Sequence, residues 1–331
     1  MPNPYISGTG FYLPPKIMTN NDLSKFMNTT DDWIQERTGI KERRYVESGI
    51  GPSDLAIPAT EQALDSAGLK VKDIDFIIFA TSTPDYYAPG SGCLLQEKMG
   101  FNEIGALDIR VQCSGFIYGL SIAEQYIRTG AFKNILLIGS EVQSTAMNLS
   151  DEGRDTAVIF GDGAGAVIVS GTEKSKGVLS THMHSEGKFV KELWVEAPAS
   201  NAGNPRFSAQ NLNEGKHFLK MNGKEVFRHA IKRFPEVIYE ALKANKLDTK
   251  DIDLLIPHQA NFRITQMIQK KLGLRDDQVY SNIHKYGNTT AGTIPIALAE
   301  VVNMKKIKDG DIVVFAAFGS GFTWASAILK W

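Results

Sequence analysis

The chain has 331 residues, of which 43% are hydrophobic and 22% charged, a composition that allows one large buried core or two smaller ones. Its formal net charge of -1 gives no reason to expect a nucleic-acid or membrane partner, so an acidic partner would need a local basic patch. The N-terminus does not resemble a secretion signal, and no apolar run reaches the roughly 18 residues of a membrane span. We therefore expect a soluble, cytoplasmic protein.

Segments with helical periodicity alternate with strand-like segments, which predicts an α/β fold. In the first half we expect a helix over 54–67, strands over 76–79 and 104–111, a helix over 114–129 and a strand over 135–138. In the second half we expect a helix that begins near Gly223, a strand over 252–256, a helix over 296–304 and strands over 311–317 and 323–329. Residues 186–220 are rich in Gly, Asn, Pro and Ser, which predicts a long surface segment of the kind that covers sites.

A short pattern of residues occurs twice in the chain. Ala63 and the Lys-Asp-Ile-Asp segment 72–75 recur as Ala241 and segment 250–253, each 178 residues later (241 minus 63, and 253 minus 75). Each copy reads as a helix end, a short turn and a buried strand that leads into a polar segment. The repeat predicts two similar α/β halves of ordinary domain size. The predicted halves are residues 1–173 and 174–331, joined near the polar stretch 171–177.

The chain has only two cysteines, which argues against a disulfide framework and against a zinc site made of cysteines alone. Cys113 is the candidate nucleophile because it lies between a predicted strand and a predicted helix. At a helix N-terminus, unpaired N–H groups and the helix dipole favour the thiolate and lower the pKa of the thiol. The alternative for Cys113 is a buried structural cysteine, which is the interpretation we give to Cys93.

His258 directly follows the predicted strand 252–256, and α/β folds keep their sites at such strand ends. Asn288 lies in a glycine-rich loop, where it is either a functional amide or an ordinary turn or helix-cap residue. Three other histidines are expected at the surface, and two resemble a metal-binding pair but lack a third ligand. The surface group is His217, His229 and His284, and the pair is His182 and His184.

Two glycine-rich segments suggest close approaches of the backbone. Residues 161–166 fit the Gly-x-Gly-x-x-Ala pattern of dinucleotide sites, but a β-branched strand follows where that pattern requires a helix. We therefore predict a tight turn there. Residues 318–322 lie between two predicted strands and form a loop whose backbone N–H groups another group can approach closely.

Six motifs occur in order along nearly the whole chain, at residues 30–40, 113–116, 160–166, 257–263, 287–290 and 321–326. Together they resemble the signatures of the β-ketoacyl-acyl carrier protein synthase III family, the condensing enzymes that begin bacterial fatty-acid synthesis. The resemblance implies a thiolase-like α/β fold of two similar halves, an internal duplication with five αβαβα layers, assembled as a homodimer. It also implies a catalytic triad of Cys113, His258 and Asn288, and an oxyanion hole formed by the backbone N–H groups of Cys113 and Ser320.

The reaction implied by the resemblance is a decarboxylative Claisen condensation of an acyl-CoA primer with malonyl-acyl carrier protein, without a cofactor. Cys113 would carry the acyl group, and His258 and Asn288 would donate hydrogen bonds to the enolate. Other residues would bind coenzyme A, dock the acidic carrier protein or line the acyl pocket. The coenzyme A residues would be Trp33, Arg37, Arg154 and Asn261. The docking residues would be Arg228, Arg263, Lys270 and Lys271, and the acyl-pocket residue would be Tyr87.

The sequence departs from the family pattern in ways that leave coenzyme contacts and primer choice open. Ser320 replaces the middle glycine of a glycine triplet, Lys224 stands where the best-known members have an asparagine, and Asp155 stands where a glycine is usual. The 186–220 segment and the 84–89 loop are also longer than usual. The basic residues predicted to dock the carrier, Arg228 on one helix and Arg263, Lys270 and Lys271 on the next, could instead simply form solvated helix faces. Three other functions remain open: a specialised ketosynthase, an acyltransferase of secondary metabolism, and a non-catalytic coenzyme A- or dinucleotide-binding scaffold.

Overall fold

The computed structural model describes residues 1–331, which form thirteen strands and eleven α-helices. The strands are β1 (Asn3–Tyr12), β2 (Lys16–Thr19), β3 (Glu42–Tyr45), β4 (Phe76–Ala80), β5 (Gly105–Ile109), β6 (Asn134–Glu141), β7 (Gly163–Thr172), β8 (Gly177–Ser185), β9 (Leu193–Trp194), β10 (Lys220–Met221), β11 (Leu254–Pro257), β12 (Ile312–Gly319) and β13 (Thr323–Lys330). The helices are α1 (Asn20–Leu23), α2 (Asp31–Thr38), α3 (Pro52–Ala67), α4 (Ser91–Met99), α5 (Gly115–Arg128), α6 (Arg154–Ala157), α7 (Ala209–Asn213), α8 (Gly223–Ala244), α9 (Phe262–Leu272), α10 (Ile283–Tyr286) and α11 (Thr293–Asn303). None of these helices combines the length and the apolar character needed to cross a membrane.

Two sheets form the frame of the molecule. The first has the strand order β1-β7-β6-β4-β5, and the second has the order β11-β12-β13-β8. In each sheet the strands at one end run parallel, β4 with β5 and β6, and β11 with β12, while the remaining pairs are antiparallel. The remaining two pairs, β2 with β3 and β9 with β10, are small separate ribbons.

The helices complete five layers in the order αβαβα. Helices α3 and α4 cover the outer face of the first sheet, and α8 and α9 cover the outer face of the second. Helices α5 and α11 lie between the sheets and share one core of 25 buried residues with both of them. These two helices are apolar almost all round because each packs against a sheet on both sides, whereas α8 keeps one polar face. The predicted thiolase-like fold is confirmed.

The 178-residue repeat of the sequence extends through the structure. Strand β6 covers 134–141 and β12 covers 312–319, and α5 begins at residue 115 where α11 begins at 293. The 3₁₀ turns that precede these helices, 112–114 and 290–292, are spaced alike, and each begins with a residue of positive φ, Gln112 at 45° and Thr290 at 50°. The boundary at 173/174 falls in the turn between β7 and β8. It stays a prediction, because the central core belongs to both halves.

The predicted elements are present, with differences of a few residues at their ends. Helix α8 begins at Gly223, as expected. The strand predicted over 104–111 is shorter, because the chain leaves the sheet after Ile109 and enters the turn that carries Cys113. The segment 186–220 contains a 3₁₀ turn over 187–192, the ribbon β9–β10 and the short helix α7. The tight turn predicted over 161–166 is wrong, because residues 163–166 already belong to β7 and residues 161–162 lead into that strand without forming a turn.

Candidate active site

Cys113 lies in the 3₁₀ turn between β5 and α5, at the point where two cavities meet. The preceding residue, Gln112, has the left-handed conformation with φ of 45°, an uncommon state for a residue other than glycine. Only 6% of Cys113 is exposed. Cys113 thus lies at the start of a helix, as the sequence predicts. Both cavities also reach this residue.

The thiol of Cys113 is nevertheless not acidic. Burial raises the pKa of the Cys113 thiol to about 12, and the negative charge of Glu141 acts in the same direction. Hydrogen bonds from the backbone N–H groups of Ser320 and of Cys113 itself lower the pKa but do not offset the lost hydration. The predicted lowering of the pKa is therefore wrong. The thiol is protonated at neutral pH, so acylation must remove its proton while the thioester is in place.

The other cysteine, Cys93, is exposed on α4, so the expectation that it is a buried structural residue is also wrong. Because Cys93 is exposed whereas Cys113 is buried with a raised pKa, we expect iodoacetamide at neutral pH to modify Cys93 first. Peptide mapping over a time course checks this order. In the control variant Cys93→Ser, total labelling should become slow. Faster modification of Cys113 than of Cys93 would contradict a protonated, buried thiol.

His258 directly follows β11, and its backbone N–H donates to the carbonyl oxygen of Ala316 on β12 over 2.8 Å. Its ring atom Nδ1 lies 2.6 Å from the hydroxyl oxygen of Thr293. The other nitrogen, Nε2, is buried and has no hydrogen-bond partner in the protein. Burial lowers the pKa of His258 to about 3, so the ring is neutral at neutral pH.

Asn288 makes the turn interaction that its sequence suggested and also lines the cavity of Cys113. Its Oδ1 accepts the backbone N–H of Thr290 over 2.8 Å, which is the turn-type interaction. That bond fixes the orientation of the amide, because only the oxygen can accept. The Nδ2 atom therefore points away from Thr290 and makes no hydrogen bond to another protein group, while the residue lines the same cavity as Cys113 and His258. The predicted triad residues thus share one cavity, although their catalytic roles stay predictions.

The loop after β12 lies directly against Cys113. A Cβ atom on Gly319 would stand 2.6 Å from Cβ of Cys113 and 2.9 Å from its sulfur, so only glycine allows this approach. The next residue, Ser320, directs its backbone N–H at that sulfur and donates its hydroxyl to the carbonyl oxygen of Leu193. The loop therefore holds a fixed N–H donor beside the nucleophile, and its role as an oxyanion hole stays a prediction.

The first cavity, of about 480 Å³, leads from Cys113 to a surface opening at α2, α8 and α9. At this opening the ring of Trp33 lies between two guanidinium groups, those of Arg37 and Arg154, each 4.6 Å from the ring centre. Asn261 also lines the cavity, but its amide caps α9 and donates to the carbonyl oxygen of Arg37 over 2.9 Å. Trp33, Arg37 and Asn261 thus line one cavity, and Arg154 lies against the ring of Trp33, while their binding of coenzyme A stays a prediction.

The second cavity, of about 560 Å³, extends from Cys113 in another direction. Its inner walls include Phe160 and Leu193, and its outer part includes Tyr87, which is 62% exposed and has the guanidinium of Arg206 4.5 Å from its ring centre. Much of its wall comes from the 186–220 segment, which lies over the site as the sequence suggested. Tyr87 is at the outer end of this cavity rather than beside the nucleophile.

The basic residues predicted for docking lie on α8 and α9, and the two helices differ in whether these residues form ion pairs. On α8, Arg228 pairs with Glu225, and Arg233 pairs with Glu186 and Glu236 over 2.8 Å each. On α9 and at its end, the exposed basic residues form no ion pair. These are Arg263, Lys270 and Lys271.

One of the three histidines predicted at the surface lies inside the protein. His229 is buried rather than exposed, because its ring packs 4.4 Å from that of Phe189 and 4.9 Å from that of Phe322. His217 is half-buried and lines the second cavity, and His284 is exposed as expected. The pair His182 and His184 shares the carboxylate of Glu240 over 3.3 and 2.6 Å.

Glu141 and Thr293 also lie at the site but were not predicted from the sequence. Glu141 ends β6, is fully buried and accepts hydrogen bonds from Ser82 and Thr83, and burial raises the pKa of its carboxyl to about 7. A glutamate at the end of an apolar strand was the only signal for it. Nothing in the sequence distinguished Thr293 from the neighbouring threonines.

Known proteins that are similar to this chain over nearly its whole length belong to the family that the sequence motifs indicate. Residues 107–187 match the family described as 3-oxoacyl-[acyl-carrier-protein] synthase III, and residues 242–331 match its C-terminal part. The β-ketoacyl-[acyl-carrier-protein] synthase III of Caldanaerobacter subterraneus subsp. tengcongensis is 46% identical over 326 residues, which cover 98% of this chain and 97% of the relative.

Solved structures agree. The 3-oxoacyl-[acyl-carrier-protein] synthase III of Aquifex aeolicus VF5 superposes with a TM-score of 0.90 at 40% identity, covering 99% of this chain and 100% of that one. The priming β-ketosynthase of the R1128 polyketide pathway superposes with a TM-score of 0.91 at 26% identity, covering 99% and 96%. The chain belongs to the β-ketoacyl-acyl carrier protein synthase III family.

Proposed function

We propose that the protein joins an acyl-CoA primer to malonyl-acyl carrier protein with loss of carbon dioxide, giving the β-ketoacyl-acyl carrier protein that starts a fatty acid. One observation carries this proposal. The buried thiol of Cys113 shares a cavity with Nε2 of His258 and Nδ2 of Asn288, two side-chain nitrogens without a partner in the protein. An acyltransferase needs the thiol, but it has no enolate for such groups to stabilise.

In the loading step, the sulfur of Cys113 attacks the carbonyl carbon of the acyl-CoA thioester. The new carbon–sulfur bond forms as the bond to the coenzyme A sulfur breaks, and the thiol proton ends on the departing coenzyme A. The tetrahedral oxyanion accepts the backbone N–H groups of Cys113 and Ser320, which lie beside the attacking sulfur. The product is an acyl-cysteine.

In the condensation step, malonyl-acyl carrier protein loses carbon dioxide, and the electron pair of the broken carbon–carbon bond forms an enolate. Asn288 donates from Nδ2 to the enolate oxygen, and His258 donates from Nε2 as a neutral ring. The enolate carbon attacks the acyl-cysteine, and the sulfur of Cys113 leaves as a thiolate that takes up a proton. The product is a β-ketoacyl thioester on the carrier, and the reaction as proposed requires no cofactor.

The two cavities suit the two parts of the primer. We assign the thioester arm to the first cavity, whose opening carries the guanidinium groups of Arg37 and Arg154 beside Trp33, two cations that suit the phosphates of coenzyme A. The acyl chain would then extend from Cys113 into the second cavity, towards Tyr87.

The function is tested by following both half-reactions with the wild-type protein. Mass spectrometry should detect an acyl group on Cys113 after addition of an acyl-CoA, and carbon dioxide and β-ketoacyl product should appear after addition of malonyl-acyl carrier protein. A protein that acylates Cys113 but never releases carbon dioxide would be an acyltransferase. A protein that binds coenzyme A without forming the adduct would be a scaffold.

The unpaired basic residues on α9 predict where the acidic carrier docks. We expect Arg263→Glu to raise the KM for malonyl-acyl carrier protein about fivefold to tenfold, because a repulsive charge replaces a free cation beside the cavity opening. Arg228→Glu should have less effect, since Arg228 already pairs with Glu225. Loading from acyl-CoA should change little in both variants.

The control is Lys243→Glu in the last turn of α8, which reverses an exposed charge about 30 Å from the opening. An unchanged KM in Arg263→Glu, or an equal rise in Lys243→Glu, would support the solvated-face interpretation of α9.

We also propose that the protein acts as a homodimer in the cytoplasm. Strand β5 is the last strand of the first sheet, and its outer edge has no partner strand. Its residues are half-buried or exposed, unlike those of β4 beside it, so a second copy of β5 could extend the sheet across a two-fold axis.

A second candidate function is priming of a specialised pathway. The similarity to the R1128 priming β-ketosynthase supports it, because the two structures share the fold along nearly their whole length. The two functions differ in the primer and the carrier. Rates of loading across a series of acyl-CoA chain lengths, with fatty-acid and polyketide carriers as acceptors, separate them.

A further inference from the structure

Thr293 is the first residue of α11, and its hydroxyl oxygen lies 2.6 Å from Nδ1 of His258. The same oxygen lies 3.1 Å from the carbonyl oxygen of Thr290. A hydroxyl has one proton, so it can donate to only one of these two acceptors. The choice determines which nitrogen of His258 carries the ring proton, because a ring nitrogen that accepts a hydrogen bond cannot be protonated.

Two observations favour donation to His258. The separation of 2.6 Å is shorter than is usual when an N–H donates to oxygen, and it lies in the range of hydroxyl donors. The carbonyl oxygen of Thr290 already accepts the backbone N–H of Thr293, so it is satisfied without the hydroxyl. Nδ1 of His258 has no other hydrogen-bond partner.

We propose that Thr293 is a positioning residue whose hydroxyl donates to Nδ1 of His258 and thereby holds the ring proton on Nε2. The inference rests on the proposed function, in which the enolate needs a donor at Nε2. Since burial keeps the pKa of His258 near 3, the ring carries a single proton at neutral pH, and its place is decided by the partner at Nδ1.

Through this hydrogen bond, Thr293 makes His258 a neutral N–H donor like Asn288. With the proton on Nε2, the cavity presents two neutral N–H donors without partners, one from each residue. With the proton on Nδ1, His258 would instead turn a lone pair towards the enolate oxygen, and repulsion would replace a hydrogen bond. Thr293 should therefore matter when carbon dioxide leaves and not when Cys113 is acylated.

The position of the proton can be measured directly by nitrogen-15 NMR of histidine-labelled protein, because protonated and unprotonated ring nitrogens differ in chemical shift. His258→Gln identifies the signal of interest. We expect a protonated Nε2 and a bare Nδ1 in the wild type and in Thr293→Ser, and a population protonated at Nδ1 in Thr293→Val. A wild-type ring protonated at Nδ1, or an unchanged ring in Thr293→Val, would overturn the proposal.

The kinetic consequence separates the half-reactions. We expect Thr293→Val to slow carbon dioxide release on the order of tenfold, in kcat rather than KM, and to change acylation of Cys113 less than about twofold. Thr293→Ser should restore the rate. Thr60→Val is the matched control, because it removes a buried hydroxyl without a partner in α3.

Equal slowing of both half-reactions by Thr293→Val would show a general structural defect and overturn the positioning role. A wild-type protein that releases no carbon dioxide would refute the proposed function instead. The NMR result then still decides where the proton of His258 lies, so the two failures are distinguishable.

Discussion

Replacing Asn288 by alanine is expected to slow condensation about a hundredfold, a loss on the order of 3 kcal/mol of transition-state stabilisation. The enolate would lose the Nδ2 donor in a site from which water is largely excluded, since Asn288 is buried and its amide orientation is fixed by Thr290. Loading uses the sulfur of Cys113 and two backbone N–H groups, so the acyl-cysteine should still form. Mass spectrometry of the acyl enzyme beside carbon dioxide release measures both steps.

The variant also removes the bond from Thr290 to Oδ1, so a control for structural damage is needed. Asn282→Ala serves, because Asn282 is a buried asparagine whose amide donates to Glu300 over 2.6 Å, outside both cavities. It should lower the melting temperature without separating the half-reactions. Wild-type carbon dioxide release by Asn288→Ala would mean that Asn288 is only a turn residue, and the decarboxylative proposal would lose its main support.

Gly319→Ala is expected to abolish both half-reactions, with a loss of at least about a hundredfold in each. The added methyl group would lie 2.6 Å from Cβ of Cys113, 2.9 Å from its sulfur and 3.1 Å from its backbone nitrogen. Contacts this short cannot persist, so either the loop or the turn that carries Cys113 must move. The nucleophile and its oxyanion donors would then no longer meet.

The same change should cost about 1–3 kcal/mol of stability, as is typical of overpacking, and leave the fold intact. Thermal unfolding followed by circular dichroism checks the fold, and acylation by acyl-CoA checks the chemistry. Gly187→Ala is the control, because a Cβ atom there would meet nothing within 4 Å. A Gly319→Ala protein that loads at the wild-type rate would show that the loop tolerates a shift and that its close approach is not required.

The fold was predictable because its signals are local and repeated. Alternating helix and strand periods gave the α/β class, and the repeat of residues 72–75 at 250–253 gave the two halves. Element ends were less accurate where a turn and not periodicity decides them, as at Ile109, where the chain leaves the sheet to form the turn of Cys113.

The site was predictable in its residues but not in its electrostatics. The positions of Cys113 and His258 follow from strand ends, which sequence patterns locate. The pKa of the thiol does not, because the burial of the thiol and the charge of Glu141, which both raise that pKa, arise from groups distant in sequence. Burial of His229 likewise depends on Phe189, which lies in a segment without periodicity.

The duplication has left the two copies of one strand end with opposite tasks. Glu141 is the last residue of β6 and Gly319 is the last residue of β12, 178 residues later. The 3₁₀ turns 112–114 and 290–292, which are 178 residues apart as well, contact each other. In one copy a large side chain anchors neighbouring loops, and in the other the absence of a side chain admits the nucleophile. Both copies of this strand end thus act on the same thiol, Gly319 through the space that it leaves and Glu141 through its charge.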